Sequence, residues 1–268
     1  MTAQLLAGCG LGIVIAALAW RAGALSTSGA VGAALSGGLI FGLGGLAWAS
    51  LLLTFFISSS ALSAVFKGRK SVLGDQFAKG SRRDMAQVLA NGGLGMLLVA
   101  AQVLLPGESW PWFVYAGGLA AVNADTWATE LGVLSPNAPR LITNGRQVAR
   151  GTSGGVTLAG SLASLGGAAL VGLVGIAFTP PGEGAVLFLG AVLGGMVGST
   201  TDSLLGASLQ AIYFCPLCQK ETERHPEHTC GTSTYHLRGW RWLNNDAVNF
   251  LSSIVGAGAA GVVWLILV

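Results

Sequence analysis

The chain has 268 residues, of which 52% are hydrophobic and only 9% charged, with a mean hydropathy of +0.67. A soluble domain carries about 25% charged residues, so a soluble enzyme is excluded and an integral membrane protein is indicated. The net charge of +3 points to no partner until the charges are located, while 42 glycines suit close helix packing within a bilayer.

A membrane span needs about 20 mainly apolar residues. Roughly eight such segments follow one another: Ala3–Trp20, Ser26–Phe41, Gly44–Phe66, Met85–Leu105, Trp110–Leu134, Val156–Phe178, Ala185–Ile212 and Val248–Val268. The second is the shortest and is rich in Gly. The runs are continuously apolar, which disfavours a β-barrel with its alternating pattern. The expected fold is therefore all-α, a polytopic transmembrane helix bundle forming a single integral membrane domain over 1–268. The first segment lacks a positive leader and runs on into another span, so it reads as a span and not as a signal peptide.

All 14 Lys and Arg fall after odd-numbered spans. Arg21 follows the first. Lys67, Arg69, Lys70, Lys79, Arg82 and Arg83 follow the third, Arg140, Arg146 and Arg150 the fifth, and Lys220, Arg224, Arg238 and Arg241 the seventh. The alternate connections hold no positive charge and contain Glu108 and Glu183. By the positive-inside rule the basic loops face the cytoplasm, and both termini face the other side. The expected location is the cell membrane, with no nucleic acid among the partners.

This topology brings the acids to one level. Asp125 and Glu130 lie in the cytoplasmic half of the fifth span, and Asp202 lies about 27 Å into the seventh at 1.5 Å per residue. Asp84 opens the fourth span and Asp246 precedes the eighth. Intramembrane carboxylates are costly and are candidates for function, although Asp84 and Asp246 also read as helix caps. Asp84, Gln87 and Asn91 share one face of the fourth span. Asp125 and Glu130 stand about 140° apart on a regular helix, so one ion meets both only through distortion or water. Thr201, Asp202 and Ser203 interrupt an apolar run beside Gly194, Gly195 and Gly198, where a broken helix is expected. In WLNNDAVNFLSS, one of Asn244, Asn245, Asp246 and Asn249 suffices for a cap, which leaves the others, Asn245 among them, as ligand candidates.

The stretch that organises the chain runs from Val122 to Thr157. Carboxylates Asp125 and Glu130 are followed by Arg140, Arg146 and Arg150 and by the turn Gly151-Thr152-Ser153-Gly154-Gly155. Carboxylates hold a hard cation such as Mg²⁺, and arginines with glycine-turn amides before a helix hold phosphate. The expected Mg²⁺ ligands are Asp125, Glu130, Asp202 and Asp246. The expected phosphate groups are Arg82, Arg83, Asn91, Arg146, Gly151, Thr152, Ser153, Gly154, Gly155 and Asn245, with Arg150 joining Asp125 and Asp202 at the reacting centre.

Residues 213–241 form a cytoplasmic loop with its own metal pattern. Cys215-Pro-Leu-Cys218 precedes His225, His228 and Cys230, a Cys₃His set suited to structural Zn²⁺. A reducing compartment argues against disulfides. His228 is the expected fourth ligand, with His225 as the alternative.

The segments RDMAQVLANGG, NADTWATELG, RGTSGGVT, TDSLLGA and LRGWRWLNNDAVNFLSS together resemble the integral-membrane family "domain of unknown function 92", which includes animal transmembrane protein 19 and plant phytyl-phosphate kinase. The likeness covers nearly the whole chain. The family is also distantly similar to dolichol kinase, phytol kinase and phosphatidate cytidylyltransferase, which use CTP. The resemblance implies that Asp125 belongs to an acidic motif, that Arg150–Gly155 form a nucleotide-phosphate motif and that CTP is the co-substrate. The expected activity is phosphoryl transfer from CTP, or another nucleoside triphosphate, to a membrane isoprenoid monophosphate such as phytyl, geranylgeranyl or polyprenyl phosphate. The alternatives are a lipid-alcohol kinase, a cytidylyltransferase or a cation- or proton-coupled transporter. Clustering of polar groups at one side favours an enzyme. A homo-oligomer is left open.

Overall fold

The computed structural model describes residues 2–66 and 82–268. Lys67, Arg69, Lys70 and Lys79, part of the basic group expected after the third span, lie outside these residues. Among the described residues there are seven long helices: α1 (Thr2–Arg21), α2 (Thr27–Val65), α3 (Met85–Leu104), α4 (Trp110–Gly132), α5 (Leu158–Ile176), α6 (Gly184–Ser208) and α7 (Asn245–Leu267). All but α4 are long and apolar enough to cross a membrane. The protein is a polytopic helical membrane bundle.

The eight expected segments become seven helices because α2 covers two of them in one run of 39 residues. Inside it, Gly45 has φ 70° and ψ −159°, a conformation that costs glycine little because it has no Cβ. The chain reverses there. The Ser26 N–H, at the start of α2, donates to the Arg83 carbonyl at 3.0 Å. Ser60, near the end of α2, accepts from the Arg83 guanidinium at 2.9 Å. A straight helix would hold Ser26 and Ser60 about 50 Å apart, so both reach Arg83 only because the two arms run antiparallel.

Small residues set the helix contacts. In α1, Gly8, Gly12, Ala16 and Ala19 are buried on one face, and Gly8 and Gly12 lie against Gly42 and Gly38 of the first arm of α2. Leu6, Leu11, Ile13, Val14 and Leu18 of α1 are exposed, as suits a lipid-facing surface. α4 stands in the middle, buried from Pro111 to Ala124 apart from the half-buried Val114. A helix enclosed by its neighbours has no need of a lipid-facing apolar side. This is why α4 alone can carry Asn123, Asp125 and Glu130.

Side-chain pairs fix which ends meet. Trp264 Nε1 donates to Ser109 Oγ at 3.1 Å and Trp112 Nε1 to Thr179 Oγ1 at 3.0 Å. Those contacts gather one end of the bundle. The opposite end carries the described Lys and Arg residues and two small sheets. Strands β1 (Arg140–Leu141) and β2 (Gly155–Val156) pair antiparallel. Strands β3 (Ile212–Cys215), β4 (Lys220–Thr222) and β5 (Tyr235–Arg238) form a three-stranded sheet in the order β4-β3-β5. α6 is one continuous helix through Thr201, Asp202 and Ser203, so the break expected there does not occur. It ends at Ser208, earlier than the Ile212 expected from hydropathy, because Ile212 opens β3. Asp246 lies within the first turn of α7 and does not precede it.

Candidate functional site

Helix packing dictates where the carboxylates meet. A Cβ placed on Gly198 of α6 would run into Ala121 of α4 and lie 3.0 Å from the Ser252 carbonyl of α7. A Cβ on Gly194 would lie 2.5 Å from the Gly256 carbonyl of α7 and 3.1 Å from the Gly117 Cα of α4. α4 and α6 are therefore parallel and in close register, with α7 antiparallel to both. One turn beyond the Ala121–Gly198 contact come Asp125 and Asp202. One turn back from Ser252 along α7 come Val248 and Asn249.

The result is a cavity of about 780 Å³ at the charged end, within the size range of ligand pockets, about 300–1,000 Å³. Asp125, Glu130, Asp202, Asp246, Asn91, Asn245, Arg83, Arg150 and the turn Gly151–Gly155 all line it. Arg82 and Arg146 are not in its lining. Arg82 is exposed beside Gly23. Arg146 is exposed in the connection between β1 and β2, where its N–H donates to Asn144 Oδ1 at 3.0 Å.

Asp202 Oδ2 is buried and has no hydrogen-bond partner among the described residues. The charges of Asp125 and Glu223 bear on Asp202, and the Ser252 side chain lies within hydrogen-bonding reach of its carboxylate. The three carboxylates do not close into a compact ligand set, but a buried carboxylate oxygen without a partner, under the like charge of Asp125 and Glu223, suits a divalent cation, which offsets that repulsion. Glu130 meets the cavity from a different side of α4 than Asp125. It is 3% exposed and accepts from Ser63 Oγ at 2.6 Å, as its angular distance from Asp125 on a regular helix requires. Arg83 lies within reach of the Glu130 charge, with its guanidinium 5.5 Å and 5.6 Å from the ring centroids of Phe55 and Phe56.

Several polar residues prove to hold the frame. Asn123 accepts from Ser58 at 3.0 Å and Ser59 at 3.2 Å, and donates to the Gly167 carbonyl at 2.8 Å. It ties α2, α4 and α5 together. Asp84 and Gln87 form a reciprocal capping box at the start of α3. Asn244 caps α7 by accepting from Ala247 N–H at 3.0 Å, while Asn245, Asp246 and Asn249 line the cavity. The Arg150 guanidinium donates to the carbonyls of Val133 at 2.8 Å and Pro136 at 3.2 Å. It thereby satisfies carbonyls at the C-terminal end of α4, a role that the motif alone did not suggest.

The glycine turn is held against α6. Gly154 has φ +79°, and a Cβ there would lie 2.6 Å from Ala207 Cα, so both conformation and space call for glycine. The amides of Thr152 and Gly155 are used inside the turn, bonded to Ala149 and Thr152 carbonyls at 3.2 and 3.0 Å. Thr157 then caps α5 by accepting from Gly160 N–H at 3.0 Å.

Cys215, Cys218, His228 and Cys230 form a group that could hold a metal ion, their ligand atoms all within 4.8 Å of one another. Cys215 Sγ is 3.6 Å from Cys230 Sγ, and His228 Nδ1 is 3.5 Å and 3.3 Å from the sulfurs of Cys218 and Cys230. A tetrahedral ion with metal–sulfur bonds of about 2.3 Å and metal–nitrogen bonds of about 2.05 Å would require edges of about 3.8 and 3.6 Å. The spacing fits. His225 is not in the group, because its ring stacks on Tyr213 with centroids 4.4 Å apart and planes 7° apart. Hydrogen bonds from Thr232 and then His228 hold the Cys230 thiol down to about 6, while Cys218, hydrogen-bonded to Cys230, is pushed up to about 11.

The same loop lines the cavity with Tyr213, Glu223, Arg224, His225 and Glu227. Of these only His225 stood out in the sequence, and then as an alternative zinc ligand and not as part of this cavity. The available signal was position, since all five lie within or beside the Cys/His stretch.

Comparison with known proteins agrees with this architecture. The profile of a family described as "Integral membrane protein DUF92" matches residues 10–257. Protein PGR of Arabidopsis thaliana is 35% identical over 79% of this chain and 79% of its own length. The uncharacterized membrane protein MJ0933 of Methanocaldococcus jannaschii is 31% identical over 93% of this chain and 89% of its own. Protein VTE6, chloroplastic, of Arabidopsis thaliana is 27% identical over 87% of this chain and 63% of its own. No solved structure matches the chain.

Proposed function

This chain belongs to the DUF92 family of integral membrane proteins, and from that membership and the cavity we infer a kinase that transfers a phosphoryl group from a nucleoside triphosphate, CTP in our reading, to a membrane isoprenoid monophosphate. The observation that carries the reading is the pairing of Asp125 on α4 with Asp202 on α6, its Oδ2 buried and unpartnered, in a cavity that also presents Arg83, Arg150 and a glycine turn. The likeness of the motifs to a family that includes phytyl-phosphate kinase supports the substrate class.

Asp125 and Asp202, with Asp246 at the cavity wall, would hold Mg²⁺ here, and the ion would supply positive charge to offset that of the phosphates. The turn Gly151–Gly155 and the N-terminal end of α5 receive phosphate. Arg83 and Arg150, both at the cavity wall, contribute positive charge to it, since such catalysis is mainly positioning and electrostatics. A phosphate acceptor needs no strong base, which agrees with a cavity whose histidine is stacked on Tyr213. The isoprenoid tail lies among the Gly-rich helices and its headgroup meets the nucleotide at the charged end. By the positive-inside rule that end faces the cytoplasm. In the adjoining loop three thiols and an imidazole suit Zn²⁺, which would fold the loop.

The test uses purified protein in detergent with Mg²⁺, γ-labelled CTP and a panel of isoprenoid alcohols and monophosphates. Label in a lipid diphosphate, lost in Asp125→Asn and Asp202→Asn, is the expected result. Label in a lipid monophosphate would make the protein an alcohol kinase. No transfer to any lipid by folded protein would sink the kinase reading and bring cation-coupled transport forward.

A further inference from the structure

Gln210 is 1% exposed at the end of α6 and uses both ends of its amide. Ser153 Oγ of the glycine turn donates to Gln210 Oε1 at 2.8 Å. Gln210 Nε2 donates to Glu223 Oε1, just beyond β4, at 2.8 Å. The backbone fixes this side chain from both sides. Gln210 N–H donates to the Leu205 carbonyl at 2.9 Å, Trp240 N–H donates to the Leu209 carbonyl at 2.8 Å, and Ala211 N–H donates to the Leu243 carbonyl at 2.8 Å. Gly239, at φ +82°, presses its backbone onto the Gln210 carbonyl. Thus one buried amide joins two cavity walls that are about 70 residues apart in sequence: the glycine turn and the loop that carries the Cys/His group.

We propose that Gln210 is a positioning residue that couples the metal state of the Cys215/Cys218/His228/Cys230 group to the order of the Gly151–Gly155 turn, through Glu223 and Ser153. The loop metal then does more than fold its own loop. It sets Glu223 beside Asp202 and, through Gln210, holds Ser153 in place. Losing the metal frees Glu223, leaves Gln210 without its acceptor and loosens the turn. The proposal deepens the kinase reading by giving that site a dependence on the loop metal, and its test involves no nucleotide and no lipid.

The experiment follows amide hydrogen exchange of the full chain in detergent, loaded with Zn²⁺ or stripped by a chelator. In the wild type, stripping is expected to speed exchange in 213–238 and also, about fivefold, in 151–156, the change that one lost neutral hydrogen bond corresponds to. In Gln210→Ala the turn exchanges fast in both states while the loop still responds to Zn²⁺. Should Gln210→Ala not fold, Gln210→Glu places two carboxylates together and uncouples the turn, and adding Glu223→Gln restores a donor–acceptor pair and the Zn²⁺ response. A wild-type turn indifferent to Zn²⁺, an equal response in Gln210→Ala, no recovery in the double variant, or a chain that retains no Zn²⁺ would each overturn the coupling. Absence of kinase activity would leave it standing.

Discussion

If the register of α4 on α6 places Asp125 beside Asp202, one methyl group at the contact should dismantle the site. Gly198→Ala puts a Cβ against Ala121 well inside the 3.5–4.0 Å at which carbon atoms rest. The helices must part by more than about 1 Å, one turn from both carboxylates. Overpacking of this kind costs about 1–3 kcal/mol, and Ala in place of a helical Gly returns about 0.5–1 kcal/mol, so thermal stability in detergent should fall only modestly. Function should suffer more, because a misplacement of about 1 Å can cost about 100-fold. Two readouts follow the effect: phosphoryl transfer and Mn²⁺ affinity by electron paramagnetic resonance. Removing the opposing methyl tests the geometry. In Gly198→Ala/Ala121→Gly the nearest remaining neighbours of the new Cβ are the Ser252 carbonyl at 3.0 Å and Ala121 Cα at 3.3 Å, tight by only a few tenths of an ångström, so most activity should return. Gly258→Ala, whose Cβ would meet nothing within 4 Å, is the neutral control. Wild-type Mn²⁺ affinity in Gly198→Ala, or no recovery in the double variant, would refute the register argument.

Other outcomes follow from individual contacts. Gly154→Ala combines a left-handed φ with a Cβ 2.6 Å from Ala207 Cα; it should raise the KM for nucleotide about tenfold or more, and an unchanged KM would remove the turn from the site. Cys218→Ser should release about one equivalent of Zn²⁺ per chain in a chromophoric chelator assay, whereas His225→Ala should retain it. In metal-free protein, Cys230, held down to about 6, should be an alkylatable thiolate at neutral pH while Cys218, pushed up to about 11, stays protonated; mass spectrometry should find label on Cys230 first, with the rate falling as pH drops through 6. Asn123→Ala deletes bonds to Ser58, Ser59 and Gly167 and leaves buried groups unpaired, so it should cost about 1–3 kcal/mol without changing metal affinity.

What the sequence discloses and what it conceals divide along physical lines. Hydropathy and charge are additive along the chain, so the apolar segments and the single charged end were legible. The Cys-x₂-Cys spacing was legible too, because metal ligation imposes local geometry, yet choosing His228 over His225 needed the stacking of His225 on Tyr213. The reversal at Gly45 was legible only as the boundary between two spans, since hydrogen bonding carries the helix through it. Arg82, Arg83, Arg146 and Arg150 look alike in a sequence, but whether an arginine faces a cavity, a helix end or solvent is decided by packing. Glu223 and Gln210 carried no signal, because their meaning arises from a contact between segments about 70 residues apart.

Packing also explains why such a site can lie at the membrane edge at all. An isolated carboxylate there is expensive, so it must be offset by groups brought from other helices. Glycine and alanine at Gly117, Ala121, Gly194, Gly198 and Gly256 let three backbones approach until carbonyls and Cα atoms nearly touch. That closeness places Asp125, Asp202 and Asn249 on one wall without long side chains. The remaining wall comes from a polar loop that cannot pack on lipid and has little core of its own. A Cys₃His group that could hold a metal ion lies there, and Gln210 ties the loop to the helices. The apolar small-residue stripe and the polar loop are thus two halves of one device, and weakening either should disorder the same cavity.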